Sequence, residues 1–114
     1  MAELLSAREV VARATTEEDF QTAVLAFGRG LPQPWLMYHT HRSDRSEPGF
    51  PDLVALRGPR MVVAELKALD RRTGRPKKVT PAQERWLRAF RAMRGPEVFV
   101  WTPLDWEEIK AALA

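Results

Sequence analysis

Asp52-Leu53-Val54-Ala55-Leu56-Arg57-Gly58-Pro59-Arg60-Met61-Val62-Val63-Ala64-Glu65-Leu66-Lys67 is the stretch that decides the fold. Two apolar runs, Asp52 to Leu56 and Met61 to Leu66, flank Arg57-Gly58-Pro59-Arg60. Gly58 suits the positive φ of a II′ turn, so the stretch reads as a two-residue β-hairpin with both strands buried. A turn centred on Gly58 and Pro59 pairs Asp52 with Glu65, which sets two carboxylates opposite each other with Cβ atoms about 4.5–5.5 Å apart, where like charges repel. Such a pair calls for a cation or a shared proton. Lys67 follows Glu65 by two positions, so strand alternation puts it on the same face. An Asp, a Glu and a Lys on one sheet face suit a hard cation with an ammonium beside it, as Mg²⁺ and a phosphate oxygen would use. The plain alternative is an exposed Glu65–Lys67 ion pair at a strand end. Against it, Glu65 follows four apolar residues, and an uncompensated carboxylate in such a strand costs several kcal/mol.

Upstream of the hairpin, Leu4, Leu5, Ala7, Val10 and Val11 lie at near-helical spacing within Glu3 to Ala14. Thr15-Thr16 then offers a cap for a second helix from Glu17 to about Phe27, with Phe20, Val24 and Phe27 as its stripe and Gly28-Arg29-Gly30 as its end. Trp35 to His39 reads as a strand and His41 to Pro48 as a polar, basic loop. Downstream, Asp70 to Lys78 is an exposed loop carrying Arg71, Arg72, Arg75, Lys77 and Lys78. Thr80-Pro81 opens a helix to about Arg94 with Trp86, Leu87, Phe90 and Met93 inward. Glu97 to Trp101 is a further strand. Thr102-Pro103 repeats the capping device for a last helix faced by Trp106, Ile109 and Leu113.

The 114 residues, 45% hydrophobic and 29% charged, make one globular domain. No apolar run reaches the roughly 20 residues of a membrane span, and the N-terminus lacks the pattern of a signal peptide, so the expected compartment is the cytoplasm, with no membrane partner. The absence of cysteine excludes disulfides and thiolate chemistry, leaving a small chain to rely on its core, a partner subunit, or both. A net charge of +3 leans towards anionic partners.

Gly49-Phe50-Pro51-Asp52, Ala64-Glu65-Leu66-Lys67 and Thr80-Pro81-Ala82-Gln83, preceded by Glu17 with Phe20-Gln21 and followed by Val98 to Trp101 and Asp105-Trp106, resemble the VRR-NUC domain of the PD-(D/E)xK nuclease superfamily. The likeness runs from about Thr16 to Leu113 and leaves out residues 1–15, an N-terminal helical extension, and the basic loop. It implies an α/β, restriction-endonuclease-like core, a mixed central sheet with helices on both sides. It further implies a Mg²⁺- or Mn²⁺-dependent DNA endonuclease, often dimeric, that favours branched DNA. By the resemblance Asp52 and Glu65 bind the metal with the carbonyl of Leu66, Lys67 orients or activates the attacking water, and Glu17 and Gln83 complete the site.

Other readings of these residues stay open. Thr80-x-x-Gln83 is also a capping box. Glu17 could simply favour a helix N-terminus, as Glu18 could, but Glu17 shares a helix face with Gln21 whereas Glu18 suits a box with Thr15. His39 and His41 invite a transition metal, or a phosphate contact by His39. Arg42 and Arg45 before the site and the five cations of the basic loop after it form the rim that a phosphate backbone requires. No helix carries a base-reading pattern, so DNA shape is the expected determinant. A nuclease-like module that binds DNA without cutting is the alternative function, and 114 residues leave little room for restriction-type sequence recognition.

Overall fold

The computed structural model describes residues 4–41 and 47–114. In chain order the elements are α1 (Ala7–Ala14), α2 (Glu17–Arg29), β1 (Leu36–His39), β2 (Leu53–Arg57), β3 (Arg60–Leu66), α3 (Pro81–Arg91), β4 (Pro96–Trp101) and α4 (Trp106–Leu113). The strands form one mixed sheet in the order β1-β2-β3-β4, antiparallel except for the parallel pair β3–β4. The β2–β3 ladder pairs Leu53 with Ala64 and Leu56 with Met61, the register that a turn at Gly58-Pro59 dictates, and Gly58 stands at φ +57°.

Alternation along the strands gives the sheet two different faces. On one, Met37, Leu53, Ala55, Val62, Ala64, Leu66 and Trp101 meet Phe20, Val24 and Leu25 of α2 and Ile109 and Leu113 of α4, which together are the main core. On the other, α3 lays Leu87 down beside β4 and covers only part of the surface. The register arranges that second face in cross-strand rows: Leu36, Leu56, Met61 and Pro96, then Tyr38, Val54, Val63 and Val98. Continuing by one more step brings Asp52 level with Glu65, so the carboxylates lie beyond the apolar rows on the same face. The outer edge of β1 is blunted where the Arg29 guanidinium donates to the Met37 carbonyl at 3.2 Å.

Several boundaries differ from the sequence reading. The first helix starts at Ala7 with Ser6 as cap, and its apolar stripe does not pack: Leu4, Leu5, Val10 and Val11 are exposed, and Ala12 alone is buried. Its turns are held by polar contacts instead. The second helix runs through Gly28, where a Cβ would stand 2.4 Å from the Met37 sulfur and so require the end of that side chain to shift. Its cap is Thr16, whose hydroxyl accepts the Asp19 N–H, while the Thr15 hydroxyl bonds back to Val11; no box joins Thr15 to Glu18. The third helix ends at Arg91, so Met93 lies past it and is 61% exposed. Thr102-Pro103 opens no helix. The Asp105 carboxylate accepts the Thr102 N–H at 2.7 Å and closes a turn before α4.

Candidate active site

Asp52 is delivered by a segment pinned at both ends. The Thr40 N–H donates to the Asp52 carbonyl at 2.9 Å and the Thr40 hydroxyl to the Pro51 carbonyl at 2.7 Å. On the other side Phe50 sets its ring edge-on against Trp86 at 5.0 Å, and the Trp86 indole donates to the Pro48 carbonyl. Gly49, at φ +82°, passes so close to the first turn of α3 that a Cβ would lie 2.4 Å from the Ala82 carbonyl carbon. This contact requires glycine. The strand bearing Asp52 and the helix bearing Gln83 are therefore locked together.

One Asp52 oxygen accepts the Leu66 N–H at 2.8 Å. In a strand the N–H and C=O of one residue point the same way, so the Leu66 carbonyl also faces this side, while the Lys67 N–H turns to the Trp101 carbonyl at 2.8 Å. Glu65 is 1% exposed. Its Oε1 accepts the Gln83 amide at 3.1 Å, and its Oε2 is buried with no hydrogen-bond donor. Lys67, 7% exposed, lies on the same strand face.

Burial, then the hydrogen bond and negative charge of Asp52, push the Glu65 carboxyl up to about 9, with Glu17 adding to the rise and Lys67 opposing it. Two carboxylates have only acceptors to offer each other, so contact between them needs a proton on one. A proton directed at Asp52, or a cation between the two carboxylates, would satisfy the Glu65 oxygen that has no partner.

Gln83 serves both roles that the sequence left open. Its side-chain oxygen accepts the Thr80 N–H at 2.9 Å and the Thr80 hydroxyl accepts the Gln83 N–H at 3.2 Å, completing the capping box, while its amide nitrogen reaches Glu65. Glu17 is close enough for its charge to act on Glu65. It lines a cavity of about 610 Å³ together with Gln21, His39, His41, Asp52 and Lys77. Glu18 lines it too. The two imidazole rings lie 4.4 Å apart, His41 having left the strand.

Of the basic loop, Lys77 reaches this cavity, and Arg71 and Lys77 line a neighbouring one of about 410 Å³ that Glu17 also borders. Arg72, Arg75 and Lys78 are exposed and line neither. Arg42 and Arg45 lie outside the described residues. Sequence reasoning did not single out Arg13, which borders the second cavity from α1; its isolation among apolar and polar helix residues gives no signal of its target.

Among the described residues no three His, Cys, Asp or Glu side chains are grouped to hold a metal ion. What faces this side is two carboxylates, one with an oxygen that has no partner, and, by strand geometry, the Leu66 carbonyl, all hard oxygens. That set fits Mg²⁺ or Mn²⁺ completed by water, since Mg²⁺ keeps several waters and takes one or two carboxylates. It does not suit a softer ion. No known protein family, curated protein or solved structure matches the chain. No helix among the described residues is long and apolar enough to cross a membrane.

Proposed function

We propose that the chain is a Mg²⁺- or Mn²⁺-dependent endodeoxyribonuclease with a PD-(D/E)xK core of the VRR-NUC type, cutting branched DNA such as junctions or flaps in the cytoplasm. The observation that carries this reading is the Asp52–Glu65 pair at the end of the hairpin, Glu65 buried and Asp52 half-buried, with buried Lys67 beside it. A structural role explains it poorly, because a neutral pair would avoid both the burial cost and the repulsion. Asp52, Glu65 and the Leu66 carbonyl hold the cation, with Glu17 at its periphery. When bound, the cation supplies charge neutralisation at the scissile phosphate and a more acidic water. Lys67 donates from its ammonium to the attacking water or to a phosphate oxygen. Gln83 orients Glu65 through its amide. His39 and the cations of Arg71 to Lys78, Lys77 nearest, offer donors to the flanking phosphates.

A homodimer belongs to the same reading. Its support is the half of the second sheet face that α3 leaves uncovered, where Leu36 is 74% and Tyr38 58% exposed and no charge interrupts the two apolar rows. A neutral patch can pair with its own copy without like-charge repulsion, and a two-fold pair would present two sites to a branched substrate.

The alternative, a DNA-binding module of the same fold that does not cut, leaves the carboxyl pair unused. Labelled linear, nicked, flapped and four-way DNA incubated with Mg²⁺, Mn²⁺ or EDTA decides between them. Cleavage of the branched forms that EDTA stops and Asp52→Ala abolishes is the expected result. Binding of all four without a cut by the wild type favours the module, and cutting that survives EDTA refutes the metal site.

A further inference from the structure

The basic segment after β3 buries no side chain, yet it is folded. The Asp70 N–H donates to the Arg75 carbonyl and the Gly74 N–H to the Asp70 carbonyl, both at 2.8 Å, and the Lys77 N–H to the Ala68 carbonyl at 3.1 Å. Leu69 and Pro76 pair as an isolated antiparallel bridge. One Asp70 oxygen accepts the N–H groups of Arg72 and Thr73 at 2.9 and 2.8 Å. These bonds close a small hairpin that carries five cations.

Helix α1 is seated on that hairpin. The Arg13 guanidinium donates to the Arg72 carbonyl at 2.9 Å and lies flat against Gly74, where a Cβ would come within 2.6 Å of its Nε. At the other end of the helix, the Arg8 guanidinium donates to the Leu104 carbonyl. A helix with one buried residue is thus tied down by two arginines, one against the hairpin and one against the turn before α4. Arg13 adds a sixth cation beside five, with the Asp70 and Glu17 carboxylates bordering the same cavity, and what its contacts supply is the hairpin's shape. Ordering a loop when a ligand binds subtracts from affinity, and a loop already in shape avoids that loss.

We propose that Arg13 is a positioning residue, which keeps the Asp70 to Lys78 hairpin prefolded as a binding surface for the phosphate backbone of DNA, and that α1 is therefore part of the binding apparatus. The identity of the polyanion rests on the nuclease reading; the bracing does not. Two variants separate shape from charge. Arg13→Lys keeps the charge and loses the planar contact, and so tests the brace; Gly74→Ala keeps every charge but its Cβ meets the guanidinium and its φ of +72° strains the hairpin itself, and so tests the hairpin's shape.

Amide hydrogen exchange should quicken roughly tenfold or more at Asp70, Gly74 and Lys77 in both variants, with Val62 and Val63 unchanged, because only a local opening has become easier. Affinity for four-way DNA in EDTA should fall several-fold in both, and with Mg²⁺ the KM should rise at constant kcat. Unchanged exchange in Arg13→Lys overturns the brace, whatever Gly74→Ala shows. Faster exchange with wild-type DNA affinity overturns its part in binding. A wild-type protein that binds no DNA in EDTA or Mg²⁺ refutes the nuclease reading instead, and with it the assigned ligand.

Discussion

Glu65 keeps its proton over a window in which an ordinary glutamate has lost it. In the unfolded chain the carboxyl ionises near its usual 4.5, and in the folded one near 9, chiefly because it is buried and then because Asp52 faces it. Between those values the folded state binds more protons than the unfolded, so this group makes stability fall as pH rises from about 4.5 to 9. Melting of the metal-free protein should show that downward slope, and Glu65→Gln should flatten it; an identical slope in the variant would show that the proton resides elsewhere. Loading with Mg²⁺ near neutral pH should expel the proton, which calorimetry in buffers of different ionisation enthalpy detects as about one proton released. Lys67 is the counterweight. Lys67→Ala should lose cleavage by orders of magnitude while metal and DNA still bind, and full activity would leave the ammonium as no more than Glu65's compensating charge.

The hairpin and the first turn of α3 are the elements that assemble the site, and their sequence signals differ in quality. Thr80→Ala removes the N-cap and should cost about 0.5–2 kcal/mol in stability with cleavage per folded molecule little changed. Gln83→Ala removes a capping contact and the Glu65 contact together, so its cleavage per folded molecule should fall well below that of Thr80→Ala; equal rates would confine Gln83 to the cap. Gly49→Ala should be the most damaging of the three, since it meets both an unfavourable φ and the backbone of Ala82.

The hairpin was legible because Gly58-Pro59 leaves few registers and because the apolar run breaks at Glu65, which located the carboxyl pair. Gln83 was legible only as an ambiguity, since a capping box and a site contact use the same residue type. The first helix misled because Leu4, Leu5, Val10 and Val11 keep a helical period without meeting a core, periodicity recording what a face could bury and not what it does bury. Thr102-Pro103 misled for a different reason. A cap signature is shared by helices and by single turns such as this one, in which the Thr102 hydroxyl accepts the Leu104 N–H and the Asp105 carboxylate accepts the Thr102 N–H. Arg13 and its contact with Gly74 join residues far apart in the chain, and nothing local announces such a pairing.

At the scale of the whole molecule, the same sheet face carries two surfaces. The apolar rows from Leu36 to Pro96 and from Tyr38 to Val98 end where the Asp52–Glu65 level begins, so a pairing through that face would set the two sites on one side of the assembly if its two-fold axis ran along the strands, and at opposite ends if it ran across them. Sedimentation at micromolar concentration should give the mass of two 13.0 kDa chains. Leu56→Glu, which places a charge in the row while its side chain is already partly exposed, should yield a folded species of one chain. A monomeric wild type that cuts four-way DNA at full rate per chain would show that pairing is not required. The carboxyl pair, with Glu65 buried, bears on how such a site would come into being. A proton on Glu65 would let the two site carboxylates lie together without a cation, so on the proposed reading the shape would form first and the metal enter second. Activation would then be, on that reading, the exchange of one small ion for another at a finished site, reversible by a change in magnesium or acidity without unfolding.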